Sequence, residues 1–268
     1  MTKKKIIDKI FKICKAKNKY IFDNDLVKNI LKKAGSKTNP YDMTKLDDTS
    51  KFPDILLEED YFIAHIGGGH HQFIKGVNKV FHRFEEIESN EIIHWPYQPS
   101  ILNEYSTSEN SVLSLCFNHR IIHDFLYSDI VANPKVYNSE RKNKISFDYK
   151  INHLKLSFKD LQIEIDLTTE YNGKVTIFEG KNTPHPNKWI DNFNVYQLYN
   201  SFRYYYDLKR SNKINVKEIT ACYLVRQRRK DGSSIRIYKY TFSDPLDITS
   251  LELLKKREYQ LKRRGFDE

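Results

Sequence analysis

LQIEIDLTTEYNGKVTIFEGKN, residues 161–182, is the stretch around which the rest of the chain is organised. In its first half Gln162, Glu164 and Asp166 alternate with Leu161, Ile163, Ile165 and Leu167, the period of a strand with one buried face. Tyr171-Asn172-Gly173-Lys174 follows, and Asn-Gly tolerates the positive φ angles that a tight hairpin requires. Alternation resumes over residues 175–181, so the stretch predicts a β-hairpin. Val175, Ile177, Glu179 and Lys181 share one face of its second strand. The turn folds Asp166 back towards Glu179 and gathers two carboxylates and an ammonium at one end of the hairpin.

Carboxylates that lie close repel each other, and a hard divalent cation with oxygen ligands supplies the missing charge. Mg²⁺ is the natural candidate, held by Asp166, Glu179 and the Gly180 carbonyl while keeping several waters. It would lower the pKa of one water so that hydroxide attacks a phosphodiester. Lys181 would orient that water and offset charge building on the phosphate. An exposed hairpin with ordinary surface charges explains a bare Glu-x-Lys. Asp, turn, apolar strand and Glu-x-Lys in that order is a more specific pattern.

The run from EID through the hairpin to FEGK, residues 163–181, resembles the core of the PD-(D/E)xK nucleases, and most of all type II restriction endonucleases. The resemblance implies that Asp166 and Glu179 bind Mg²⁺ and that Lys181 serves catalysis. No Pro precedes Asp166, and Gly180 is smaller than the usual apolar residue; both positions vary in the superfamily. Members often carry a Glu on the helix before the hairpin, which matches Glu109. Some use a Gln from the helix after it, which matches Gln197. A dipole-favoured Glu in a first turn and a Gln on a solvent face are the simpler readings of these two residues. The resemblance also implies a homodimer on double-stranded DNA and a cognate DNA methyltransferase that protects the host genome.

The chain has 268 residues, 39% of them hydrophobic, enough for one large domain or a core with an appendage. No apolar run approaches the ~20 residues of a membrane span, and the Lys-rich start lacks a signal peptide's apolar stretch, so a cytoplasmic protein is expected. Cys14, Cys116 and Cys222 are odd in number and far apart, which gives neither a disulfide framework nor zinc spacing; buried thiols are expected. A net charge of +10 with 13% aromatics favours an anionic partner, nucleic acid before others. A genome poor in G and C also inflates Lys, Asn, Ile and Tyr, so part of this surplus is compositional.

Residues 1–50 hold thirteen Lys against six Asp, a net of +7 in under a fifth of the chain. Ile6, Ile7, Ile10, Phe11 and Cys14 fall at helical spacing, and Asp23-Asn24-Asp25 offers a cap for a second helix ended by Gly35. With a stretch around Gly67-Gly68-Gly69 to follow, the layout is winged-helix-like. Lys32 and Lys33 are candidate DNA contacts, and a helical cap that never touches DNA is the alternative. The glycines lack the Lys-Ser or Lys-Thr of a phosphate-binding loop. His65, His70 and His71 could suggest zinc, but adjacent histidines seldom point at one ion. A flexible turn carrying His near a phosphate backbone is the better reading.

Ser108 can cap one long amphipathic helix over residues 108–129, and residues 189–208 read as another. Residues 145–158 alternate as a strand before the catalytic hairpin. Arg226, Arg228, Arg229 and Lys230 precede Asp231-Gly232 and a further alternating stretch, a basic hairpin that could contact phosphates or guanine edges. Residues 248–264 read as a last helix.

These observations predict an α/β protein: a PD-(D/E)xK core with a mixed central sheet flanked by helices over residues 101–268, and a small, basic, helical N-terminal region over residues 1–100, the boundary being loose. The expected activity is Mg²⁺-dependent, site-specific hydrolysis of double-stranded DNA. A structure-directed repair or Holliday-junction nuclease would use the same core. A non-enzymatic DNA-binding regulator would rest on the N-terminal helices alone.

Overall fold

Asn172 and Gly173 take φ of 52° and 76° and reverse the chain between strands Leu154–Tyr171 and Lys174–Asn182, as the Asn-Gly pair predicts. Their ladder runs from Tyr171 opposite Lys174 to Leu167 opposite Phe178. Asp166 and Glu179 stand at the next position along the two strands.

The computed structural model describes residues 2–99, 108–183, 188–229 and 232–263, without the side chains of residues 109, 138–144 and 263. The described elements are, in order, α1 (Lys3–Ala16), β1 (Ile21–Asp23), α2 (Asn24–Lys33), α3 (Pro40–Thr44), α4 (Asp54–Glu58), β2 (Tyr61–Gly67), β3 (His70–Lys75), β4 (Phe81–Arg83), β5 (Ile92–Tyr97), α5 (Glu109–Asn118), α6 (Ile121–Tyr127) and β6 (Lys135–Ile151). The hairpin strands are β7 (Leu154–Tyr171) and β8 (Lys174–Asn182), followed by β9 (Asn192–Asn194), α7 (Tyr196–Arg210), β10 (Glu218–Arg229), β11 (Gly232–Phe242) and β12 (Leu251–Arg263).

One large sheet runs in the order β1-β3-β2-β7-β8-β10-β11-β12-β5, with β6 also paired to β7; β4 and β9 pair separately. It is mixed: β2 with β7, β8 with β10 and β12 with β5 are parallel, and the other pairs antiparallel. Helices cover both faces. On one, the Tyr205 hydroxyl of α7 donates to Thr168 Oγ1 at 3.3 Å; on the other, Tyr127 of α6 meets Thr169 Oγ1 at 3.2 Å. Adjacent strand residues point to opposite faces, so these bonds label the two sides. Phe178, Leu224 and Ile237 pack with Val112, Leu115 and Phe125 on the α5–α6 side. Ile177, Leu198, Tyr199 and Phe202 join a larger core that continues into the N-terminal helices.

That N-terminal region follows from its capping chemistry. Asp23 accepts from Leu26 N at 2.9 Å and starts α2, and Ile6, Ile7, Ile10, Phe11 and Cys14 of α1 are buried, as their spacing predicts. β1 pairs with β3, and β3 with β2, around Gly67-Gly68-Gly69. The hairpin meets the core at Gly67, opposite Lys159 of β7. Among the described residues no helix is long and apolar enough to cross a membrane. All three cysteines are free and buried.

Three expectations are corrected. The last helix, expected over residues 248–264, is instead a short 3-10 turn and the strand β12, because Tyr259 and Leu261 fill the sheet between β11 and β5. The single helix over residues 108–129 is two, broken at Arg120, which takes φ of 61°. There Trp95 Nε1 donates to the His119 carbonyl at 2.8 Å, and the Arg120 guanidinium lies 2.8 Å from His123 Nε2. The helix expected from residue 189 starts at Tyr196, since Asn192 and Asn194 form β9 and bond to Thr49 and to the Leu46 carbonyl.

Candidate active site

Strand alternation places Asp166 on the face of Thr168, and Glu179 and Lys181 on the face of Ile177, which is the α7 side in both cases. β8 lies between β7 and β10; the β7 ladder stops at Leu167 and Phe178, and Glu179 and Lys181 are held by β10 alone, with Asp166 on β7 beside them. Lys181 Nζ lies 3.0 Å from Glu179 Oε1, and each side chain is only 13% exposed. Gln197, in the first turn of α7, donates from Nε2 to the same Glu179 oxygen at 2.9 Å. The Tyr223 hydroxyl of β10 in turn donates to Gln197 Oε1 at 3.2 Å. Gly180 N points at Asp166 Oδ2 from 3.4 Å, a long contact that nonetheless sets the direction of this peptide. In a strand the N–H and C=O of one residue face the same neighbour, so the Gly180 carbonyl also faces the β7 side.

Asp47, from the segment after α3, adds a carboxylate from outside the hairpin. Burial alone would raise its pKa. The hydrogen-bonded Lys51 ammonium, with Lys45 and Lys181 nearby, outweighs burial and holds it below the usual range. Lys51 Nζ is 2.8 Å from Asp47 Oδ2. Lys181 thus touches Glu179 and adds to the positive field on Asp47.

The donor set suits a hard divalent ion: two carboxylates on neighbouring strands and a carbonyl on the β7 side of the residue next to Glu179. Mg²⁺ characteristically takes one or two carboxylates and keeps several waters. Among the described residues no group of three or more His, Cys, Asp and Glu is arranged to hold a metal.

The other predicted residues fall as follows. Glu109 opens α5, but its side chain lies outside the described residues, as does Lys230. Arg226 is 2% exposed, its Nε donating to Ser233 Oγ at 3.1 Å inside the β10–β11 ladder, so it is not on an open hairpin tip. Burial, then the neighbouring Arg228, lowers its pKa. Arg228 is half-buried, and Arg229, opposite Gly232 at the end of the ladder, is exposed. Lys32 and Lys33 are exposed in the last turn of α2. Of the three histidines at the glycine turn, only His70 is exposed. His71 bonds through Nδ1 to His65 Nδ1 and through Nε2 to Asn24 Oδ1, both at 2.8 Å, so this part of the turn is anchored rather than loose.

Sequence reasoning missed Asp47 and Tyr223. Each reaches the site across a long separation in the chain, and no local pattern marks either. Glu164 was visible, two residues before Asp166 on its alternating row, and it lines the same cavity as Glu179.

The fold and site together define a mixed α/β protein with an acidic pair and a lysine at the edge of a central hairpin. The chain belongs to the family described as a domain of unknown function (DUF6997), which matches residues 76–260, well over half of the chain. Residues 3–73 match a second such family, DUF6996. The two matches meet where β3 ends. No curated protein and no solved structure matches the chain.

Proposed function

We propose that the protein is a Mg²⁺-dependent DNA endonuclease of the PD-(D/E)xK kind, most like a type II restriction enzyme. The observation that carries this reading is the convergence of Asp166, Glu179 and Lys181 on one face, with Gln197 bonded to Glu179 from the following helix. Asp166, Glu179 and the Gly180 carbonyl would hold the ion, which when bound activates water and offsets charge on the phosphate. Gln197 fixes the orientation of the Glu179 carboxylate and is itself fixed by Tyr223. Lys181, 3.0 Å from Glu179, would steady the charge that develops on the scissile phosphate.

The N-terminal region supports a DNA-binding role. Its order of helix, strand, helices and hairpin, with β1 on β3, supports the winged-helix reading, in which the Gly67-Gly68-Gly69 turn would be the wing. Exposed Lys32 and Lys33 of α2 in that region, and exposed Arg229 at the end of β10 in the catalytic part, would meet phosphates. Palindromic recognition by a homodimer and a partner methyltransferase complete the restriction reading.

The test is incubation of the purified protein with unmethylated phage DNA in Mg²⁺ and in EDTA. Discrete, metal-dependent fragments are expected, and their ends give the recognition site. DNA left intact in Mg²⁺, both unmodified and methylated, overturns the reading.

A further inference from the structure

Ladder register places Lys181 in a row that crosses the sheet. Lys181 of β8 pairs with Val225 of β10, Val225 with Arg236 of β11, and Arg236 with Glu258 of β12. Residues paired in this way share a face, so Arg236 stands on the α7 side, two strands from Lys181 and about 10 Å away at the usual strand spacing. The row before it, Glu179, Tyr223 and Tyr238, is covered. Gln197 meets Glu179 and Tyr223, and the Phe84 ring lies 5.3 Å from that of Tyr223 and 4.7 Å from that of Tyr238. Arg236 lies just past that cover.

Arg236 is held on two sides. Its Nε donates to Glu258 Oε2 at 2.8 Å, and its guanidinium lies 4.0 Å over the Trp189 ring. Glu258 is 3% exposed, and Gln260 Nε2 donates to its other oxygen at 3.1 Å, so the carboxylate is itself anchored. A guanidinium carries five N–H groups in one plane, and the Tyr238 hydroxyl accepts a second of them. The side chain keeps 24% of its surface exposed, which leaves part of the fork open. A planar fork that is already stacked and oriented suits the oxygens of a phosphate. Further along the same face Arg229 and Lys262 each pair with Gly232, and both are exposed. Beyond Glu179 this face therefore carries Lys181, Arg236, Arg229 and Lys262, while its carboxylate, Glu258, is buried. Such a face complements a polyanion.

Resting on the nuclease reading, we propose that Arg236 is a positioning residue whose open N–H groups bind a DNA phosphate along the backbone from the one that faces Lys181, and so set the register of the strand in the site. A contact of this kind fixes register and reads no sequence. The competing account is a cross-strand ion pair that only ties β11 to β12.

The experiment measures binding of a duplex oligonucleotide by the full chain in EDTA over a series of salt concentrations. Arg236→Gln/Glu258→Gln removes the guanidinium without stranding a buried carboxylate, and it keeps the net charge at the wild-type value. Its slope of log affinity against log salt is expected to be smaller than that of the wild type by about 1, the loss of one phosphate contact. Glu258→Gln alone, which retains Arg236, is expected to keep at least the wild-type slope. Should the amide pair fold poorly, Arg236→Met/Glu258→Met takes its place, since an apolar pair often replaces a buried ion pair without loss of stability. A wild-type slope in the folded double variant, an equal loss in Glu258→Gln, or no binding of DNA by the wild type overturns the proposal. Cleavage in Mg²⁺ is scored separately. Cutting by the wild type with an unchanged slope in the double variant sinks this proposal and leaves the nuclease reading standing, and a reduced slope without any cutting does the reverse.

Discussion

Glu179 Oε1 is approached by two donors from different elements, the Lys181 ammonium at 3.0 Å and the Gln197 amide at 2.9 Å. One comes from two residues along the same strand and the other from the helix that covers it. The carboxylate therefore has one defined orientation before any cation arrives, and such prior placement is what electrostatic catalysis needs.

Replacing Asp166 or Lys181 by Ala should lower the rate of DNA cleavage by ~10²-fold or more, the scale on which loss of one preorganised charge acts. Binding of DNA in EDTA should be nearly unchanged, since neither residue is placed as a phosphate anchor. Rates from single-turnover digestion and affinities from gel retardation decide it. Wild-type cutting by either variant removes that residue from the site.

Gln197→Ala should act more mildly, because the amide touches Glu179 and nothing that reacts. A group that orients a ligand typically costs ~10–100-fold in metal affinity or activity when it is lost. The expected signature is a rightward shift of the Mg²⁺ titration of cleavage. Tyr223→Phe, one bond further out, should give a smaller shift in the same direction. Variants that reduce the rate at saturating Mg²⁺ without moving the titration would show that Gln197 does not act through the metal ligand.

The hairpin was legible because its signals are local: strict alternation, Asn-Gly at the turn, and charges two residues apart. The order of Asp166, Glu179 and Lys181 is written within sixteen residues. What was not legible depends on partners far away in the chain. Residues 251–263 are rich in Leu, Lys, Arg and Glu, all good helix formers. They form a strand because β11 and β5 offer two edges that bury Tyr259 and Leu261, and Arg257 reaches Asp124 across the fold at 3.3 Å. Tertiary packing outweighs propensities of a few tenths of a kcal/mol per residue. Asn192 and Asn194 show the same effect: their bonds to Thr49 and the Leu46 carbonyl delay α7 until Tyr196.

Gly67 should be far less replaceable than Gly68. A Cβ at Gly67, where φ is 83°, would lie 1.8 Å from the Lys159 carbonyl oxygen, so backbone must move. At Gly68 the nearest atom is His70 Nδ1 at 3.7 Å, leaving the strain of a left-handed backbone, roughly 1–2 kcal/mol. Gly67→Ala is expected to lower Tm much more than Gly68→Ala and to loosen the hairpin from β7, which amide hydrogen exchange on β2 and β3 would detect. Equal Tm values for the two variants would contradict this junction.

Arg226 and Arg229 are separable although both belong to the same basic run. Arg226 is buried and bonded to Ser233, so Arg226→Ala should destabilise the fold by ~2–4 kcal/mol in a urea titration. Arg229 is exposed, and Arg229→Ala should leave stability unchanged while reducing the slope of log affinity against log salt by about 1. An unchanged slope would take Arg229 out of the DNA interface.

The histidine pair sets a pH dependence of stability. His65 and His71 face each other through Nδ1 at 2.8 Å, so one ring must donate and the other accept. Burial first, then the neighbouring His71, lowers His65 to about 3; burial first, then His70, lowers His71 to about 4. Unfolded histidines titrate near ~6.5. Between that value and about 4 the unfolded chain binds protons that the folded chain refuses, so stability is full above pH ~6.5 and is lost as pH falls through this window. Carboxylates take up protons mainly below ~4.5, which leaves pH 6.5 to 5 as the range where the histidines act with least interference. Tm measured across that range should fall for the wild type, and the fall should be shallower in a His65→Gln/His71→Gln double variant. Parallel profiles for the two proteins would mean that the buried pair does not carry the effect.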